Sequence, residues 1–120
     1  ASILAALVSA LVLLLGPAKA SATTADECQF DIDLLTVATS NATYLRGDQG
    51  LKLESQLLHH LAQATKELSQ LDLGSTLRQM DRYSTDLSKG VASGKIDATS
   101  AVDLQLGANT VIACVNAIGQ

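Results

Sequence analysis

Two cysteines, Cys28 and Cys114, are the residues of this chain best suited to chemistry. They could form a disulfide, remain as two separate buried thiols, or serve as a metal-binding or catalytic pair. Neither cysteine belongs to a CxxC motif, and neither has a histidine close by in the sequence. Metal and redox sites usually show such spacings. The sequence therefore favours a Cys28–Cys114 disulfide over the other two interpretations.

The only histidines are the adjacent pair His59 and His60. Neighbouring residues on a helix point about 100° apart, so the pair cannot chelate one ion as residues four apart would. We expect a solvated polar face, with a haem or metal ligand role as the alternative. Tyr44 and Tyr83 are the other weak candidates for ligand contacts.

Catalytic and nucleic-acid signatures are missing from the sequence. No HExxH, GxSxG, Walker or GxGxxG motif occurs. Twelve acidic residues against eight basic ones give a net charge of -4, which argues against a phosphate-binding surface. Two tyrosines and one phenylalanine provide no stacking platform for single strands. The sequence predicts a protein that is not an enzyme, has no cofactor and binds no nucleic acid.

An apolar segment near the start of the sequence precedes the cysteines and histidines. An uncharged apolar run, Ile3 to Gly16, is shorter than the roughly twenty residues that span a bilayer. Pro17 and small-x-small cleavage signals ending at Ala20 and Ala22 follow it. We predict a secretory signal peptide over 1–20, truncated at its start, and an exported or periplasmic domain over 21–120. A retained anchor and a buried core helix are the alternatives.

The exported part has the pattern of helices with short joints. The first is predicted from about Ala25 to Arg46, behind a capping box formed by Thr24 and Glu27. The second runs from about Leu51 to Asp72, with Asp72 or Ser75 available to cap the third. The third ends between Gly90 and Gly94, and Asp97 can cap the fourth.

Apolar residues recur at steps of three and four along each helix. The predicted core stripes are Cys28, Ile32, Leu35, Ala38, Ala42 and Leu45; Leu57, Leu58, Leu61, Ala64, Thr65, Leu68 and Leu71; Leu77, Met80, Tyr83 or Ser84, Leu87 and Val91; and Ala101, Leu104, Ala108, Val111, Val115 and Ile118. Short joints make neighbouring helices antiparallel. The sequence predicts an all-α fold, a small up-and-down bundle of three to four helices. Cys28 and Cys114 should then meet at one end.

Three segments resemble the FIMAH domain, a helical module of extracellular bacterial proteins. They are Leu57-Leu58-x-x-Leu61-x-x-Ala64-x-x-x-Leu68, then Leu77-x-x-Met80-x-x-Tyr83-x-x-x-Leu87, and Gly94-Lys95-Ile96 followed by Ala101-x-x-Leu104-x-x-x-Ala108-x-x-x-Ile112. In the last segment Gly94 should end one helix, Ile96 should close the core and Asp97 should begin the next helix. The resemblance implies an accessory module without catalytic residues.

The leading hypothesis is an exported, non-catalytic module that binds an unknown protein or cell-surface partner, or acts as a spacer. Cys28 with Tyr44-Leu45 also resembles the small secreted haem-binding proteins of mycobacteria, so a haem carrier is one alternative. Its candidate contacts are Tyr44, Tyr83, His59, His60 and Met80. A secreted hydrolase inhibitor is the other alternative function, although the four-cysteine framework usual in helical inhibitors is missing. Contact with a membrane is expected only through the signal peptide.

Overall fold

A computed structural model describes residues 23–118, which form four α-helices. The helices are α1 (Ala25–Asn41), α2 (Asp48–Ser69), α3 (Leu73–Ala92) and α4 (Ala98–Ala117). No strand lies within these residues, only two isolated β-bridges. The predicted all-α bundle is confirmed. The predicted signal peptide, residues 1–20, lies outside the described residues.

The helices surround one core in chain order. Each helix packs on its neighbour in the chain, and α4 returns to pack on α1. Short connections make successive helices antiparallel. The start of α1 and the end of α4 therefore lie at one end of the bundle, with the joint between α2 and α3. The two longer loops, 42–47 and 93–97, lie at the other end.

Side-chain caps fix three of the four helix starts. The Glu27 backbone N–H donates to Thr24 Oγ1 at 3.2 Å, and the Thr24 N–H donates to Glu27 Oε1 at 2.9 Å, so the predicted capping box is confirmed. Asp72 accepts from the Ser75 N–H and caps α3. Asp97 accepts from the Ser100 N–H and caps α4 as predicted.

The first helix ends at Asn41, and the prediction that it continues to Arg46 is wrong. Ala42 has extended backbone, and Tyr44 forms an antiparallel β-bridge with Ile96. The Leu45 N–H donates to the Lys95 carbonyl at 2.8 Å. Backbone groups that a longer helix would have satisfied internally are thus paired with the second loop.

The junction between α3 and α4 follows the predicted Gly-x-Ile pattern. Gly94 has a positive φ of 70°, and the following Lys95 N–H donates back to the Gly90 carbonyl at 2.8 Å. This left-handed residue closes the end of α3, a position that favours glycine. Ile96 is buried beneath the loops, and Asp97 begins α4. The predicted roles of Gly94, Ile96 and Asp97 are confirmed.

The predicted core is confirmed best in α4. Its buried residues are Ala101, Leu104, Ala108, Val111 and Val115. For the first predicted stripe the prediction is wrong at Ala38 and Leu45, which are exposed, and Thr39 is buried instead. Ala42, after the end of α1, is partly buried against the core. Leu71 and Val91 are also exposed, since α2 ends before Leu71 and α3 ends beside Val91.

Candidate functional site

The disulfide predicted between Cys28 and Cys114 is confirmed. It links the first turns of α1 to the last turns of α4, and the two Cα atoms are 5.5 Å apart. This Cα separation is usual for a disulfide. The bridge therefore joins the two ends of the helical domain by linking α1 to α4.

The two histidines lie in different environments. His59 is exposed on α2. The His60 side chain is only 15% exposed, and its Nε2 lies 2.7 Å from Asp86 Oδ2 on α3. His60 Nδ1 is buried and has no hydrogen-bond partner. The expectation of a solvated polar face therefore holds for His59 and not for His60.

The His60–Asp86 pair is poorly placed for acid–base chemistry on an external substrate. A catalytic histidine needs a ring nitrogen within hydrogen-bond distance of the reacting group. In this pair Asp86 occupies Nε2, and protein atoms cover Nδ1. The geometry instead suits a polar tie between α2 and α3.

We expect His60→Ala to destabilise the protein and His59→Ala to have little effect. Truncating His60 leaves Asp86 without its partner and opens space between α2 and α3, at a cost of about 1–2 kcal/mol. His59 is exposed, so its truncation should change the free energy of unfolding by less than about 0.5 kcal/mol. Urea denaturation of both variants measures the difference. Equal stability would contradict the structural role of the pair.

The two tyrosines meet at a buried threonine that the sequence did not single out. The Thr39 hydroxyl donates to the Leu35 carbonyl at 2.7 Å and lies 2.8 Å from the Tyr83 hydroxyl. Because the Thr39 hydrogen is used on Leu35, Tyr83 acts as the donor to Thr39 Oγ1. The Tyr44 hydroxyl donates to the Thr39 carbonyl at 2.6 Å. Both phenols are thus engaged in the packing of α1.

Burial changes the acidity of both phenols. It raises the pKa of Tyr83 to about 12. Burial also raises the pKa of Tyr44, and the nearby Tyr83 and Glu54 add to that effect. Both side chains therefore stay neutral at ordinary pH.

The predicted ligand contacts do not form one site among the described residues. Tyr83 and Met80 are fully buried in the core, Tyr44 packs against its edge, and the histidines lie on the α2 side. None of them lines the surface groove described below. Within residues 23–118, no three His, Cys, Asp or Glu side chains are grouped to hold a metal ion.

The most distinctive surface of the bundle lies on α1 and α4. Four large apolar side chains project from the outer sides of these two adjacent helices. Each is between 55% and 61% exposed: Phe30, Leu34, Val37 and Leu106. We call these four residues the apolar face. Val102 is also exposed but lies on the other side of α4, in a groove shared with Leu87 and Val91 of α3. Large apolar side chains grouped on one exposed side of a monomer often mark an interaction surface.

The sequence shows why this face differs from the rest of the bundle. In α1 the residues Phe30, Leu34 and Val37 follow one helical line, while Cys28 and Ile32 follow the opposite, buried one. Such a helix is apolar on two sides. The outer sides of α2 and α3 carry mainly charged and amide residues, as expected for helices that bury a single face.

A groove runs along the contact between α1 and α4, beside the apolar face. A Cβ on Gly107 would lie 2.8 Å from Leu35 Cδ1, so the helices approach closely at this level. Small side chains form part of the groove and carboxylates stand on both of its sides. The lining residues are Asp31, Leu34, Leu35, Ala38, Asp103, Gly107 and Thr110.

Comparison with family models, with curated proteins and with solved structures finds no match to this chain. The function of the apolar face and its groove is therefore inferred from the residues that form them. Within the described part of the chain, no helix is both long enough and apolar enough to cross a membrane.

Sequence reasoning missed the apolar face although its signal was present. Phe30, Leu34 and Val37 have the i, i+4, i+7 spacing of a helix face. The prediction placed Cys28, Ile32 and Leu35 in the core and did not interpret the second line. Two apolar lines on one helix indicate either a fully buried helix or a helix with an unpartnered face.

Proposed function

We propose that this protein is an exported, non-catalytic module that binds another protein through the apolar face of α1 and α4. The observation that carries the proposal is the exposure of Phe30, Leu34, Val37 and Leu106 on two adjacent helices. Exposed apolar surface costs free energy in water, and a partner that covers it recovers that cost. The resemblance to FIMAH accessory modules agrees with this role and stays a prediction.

The apolar face favours binding over the alternative functions. A spacer domain needs no exposed apolar face, since it makes no contact along its length. A haem carrier needs one or two axial ligand side chains that face an apolar cavity, whereas Tyr44, Tyr83 and His60 are engaged in internal hydrogen bonds. For a hydrolase inhibitor, no observation identifies a segment that would enter an active site.

The proposed export is supported by the disulfide, which is typical of oxidising compartments. We expect the protein to be recovered outside the cytoplasm, beginning at Ser21 or Thr23. N-terminal sequencing of the protein from culture medium or periplasm measures this directly. Recovery of the chain from membranes with Ile3 to Gly16 still attached would contradict cleavage.

A photo-crosslinking experiment tests the binding role. The protein is made in its own producing cells with a benzophenone side chain in place of Leu34. In a matched variant the benzophenone side chain replaces Leu51 on α2. Both leucines are similarly exposed, at 55% and 58%. We expect a protein adduct of one defined mass from position 34 and none from position 51.

Leu106→Asp provides the specificity control for that adduct. Leu106 lies on α4 and is exposed, so a charge there should leave folding intact while disrupting an apolar contact. The adduct from position 34 should fall at least about tenfold in this variant. Equal adducts from positions 34 and 51, or an adduct unchanged by Leu106→Asp, would contradict binding through the apolar face.

A further inference from the structure

We infer that the partner presents a helix with an apolar stripe flanked by lysines or arginines, and that this helix lies along the groove between α1 and α4. The inference rests on the proposed function and identifies the chemistry of its partner. It is carried by the distribution of charge around the bundle, together with the shape of the groove.

The charges of the four helices are divided unequally. Helices α1 and α4 carry five carboxylates and no lysine, arginine or histidine: Asp26, Glu27, Asp31, Asp33 and Asp103. Helices α2 and α3 carry acidic and basic residues in equal number. The two helices that present the apolar face are therefore acidic, and the other two are electrically balanced. A partner with complementary charge must be basic.

Two of these carboxylates flank the groove itself. Asp31 stands on the α1 side and Asp103 on the α4 side. Cys28 lies opposite Cys114, and Leu35 lies opposite Gly107, which fixes the antiparallel register of the two helices. In that register Asp31 and Asp103 are offset by roughly eight residues, or about 12 Å along the helix axis. Cations about two helical turns apart on one docked helix would reach both carboxylates.

The contact between α1 and α4 also lacks the polar ties found at the other three helix contacts. Gln29 donates to Thr65 between α1 and α2, His60 pairs with Asp86 between α2 and α3, and Gln105 donates to Ser84 between α3 and α4. Within the described residues, neither Asp31 nor Asp103 has an ion-pair or hydrogen-bond partner in the bundle. Both carboxylates are left to interact with a cation from outside.

The groove has the form that receives a helix. Ala38 and Gly107 keep it open at mid-length. Leu34 lines it on the α1 side, and Leu106 is exposed on the neighbouring helix. An amphipathic helix places apolar side chains at i, i+3, i+4 and i+7 into such a groove. It would extend the bundle by one more helix.

The same charges disfavour the other occupants. Two copies of this chain joined through their apolar faces would bring Asp31 and Asp103 of both copies together, with no base on the helices in contact. An anionic lipid surface would repel the acidic side, whereas helices that bind such surfaces carry lysine and arginine. The chain's own apolar segment, Ile3 to Gly16, is uncharged and would make no use of Asp31 or Asp103.

Two synthetic helical peptides test the inference on the purified protein. They share one leucine and alanine stripe, and the flanking positions are lysine in one and glutamate in the other. We expect the lysine peptide to bind at least about tenfold more tightly than the glutamate peptide at low salt, with the ratio falling as salt is added. Fluorescence anisotropy with labelled peptides measures both affinities.

Variants then test whether the groove carboxylates cause the tighter binding of the lysine peptide. Asp31→Asn combined with Asp103→Asn should reduce the preference for lysine to about threefold or less. The control combines Asp81→Asn on α3 with Asp48→Asn on α2, two exposed residues. It alters the net charge equally and should leave the preference unchanged. Leu34→Asp with Leu106→Asp should abolish binding of both peptides.

Equal binding of the two peptides would overturn the basic partner while leaving the crosslinking test of the proposed function intact. Binding of neither peptide would overturn the helix-in-groove geometry. A dimer in sedimentation that Leu34→Asp dissociates would replace the partner with a second copy. Binding to anionic vesicles that Leu34→Asp abolishes would replace it with a lipid surface.

Discussion

Cys114→Ser should lower the free energy of unfolding by about 2–4 kcal/mol. The disulfide joins residues separated by 86 positions, so it constrains almost the whole helical domain in its unfolded state. Small domains have a total stability of about 5–15 kcal/mol. Removing the bridge therefore removes a large part of the stability, and urea denaturation of the variant measures the loss.

The double variant Cys28→Ser with Cys114→Ser is the control for this prediction. If the bridge is the source of the effect, the double variant should be destabilised no more than Cys114→Ser alone, because either substitution breaks the same bond. The native, unreduced protein should contain no titratable thiol. Two reactive thiols in that protein, or full stability of the single variant, would contradict the prediction.

The protein should lose about 2–3 kcal/mol of stability between pH 10 and pH 12 through Tyr83 alone. In the unfolded chain a tyrosine ionises near its ordinary pKa of 10, whereas burial raises the pKa of Tyr83 to about 12 in the folded protein. Between these values the unfolded state binds fewer protons, so rising pH favours unfolding. Below pH 10 both states hold the proton, and the stability from this group is fully present.

Tyr83→Phe separates this effect from other alkaline changes. At pH 7 the variant should be less stable than the wild type by about 1 kcal/mol, because it loses the hydrogen bond to Thr39. Near pH 12 the order should reverse, since phenylalanine has no proton to lose. Urea denaturation of both proteins from pH 8 to pH 12 measures the difference. A difference that stays constant over this range would contradict the prediction.

The sequence predicted the fold where local signals and tertiary packing agree. In α4 the Asp97 cap and the steps from Ala101 to Val115 both indicate one helix with one buried side, and the structure has this arrangement. The first helix was predicted less well because its end depends on a distant segment. Tyr44 pairs with Ile96, so residues 42–47 do not continue α1. No residue near Asn41 indicates that pairing in the sequence.

The interior of α1 shows a second limit of the sequence. The steps of three and four placed Ala38 in the core, because such a pattern follows apolar residues and Thr39 is polar. In the structure the Thr39 hydroxyl bonds the Leu35 carbonyl and Tyr83, so its burial is compensated. Tyr83 lies on another helix, and only the packed bundle brings the two residues together.

The candidate site was predictable in its chemistry and not in its position. The second apolar line at Phe30, Leu34 and Val37 can be read from the sequence, as can the absence of basic residues between Thr24 and Tyr44. That Leu106 lies on the helix next to this line follows from the contact of α1 with α4. The sequence pattern of one helix does not predict this proximity, because the proximity depends on the packing of α4 against α1.

The parallel β-bridge between Thr23 and Ile118 places the entry and the exit of the domain side by side. A short linker between these two points could join them without disturbing any helix, so a circular permutant opened between Gln70 and Leu71 should fold. The same closeness means that the whole bundle could be inserted into a surface loop of another protein. In such a fusion the host would be attached at the disulfide end only, and the groove would run outward from that attachment.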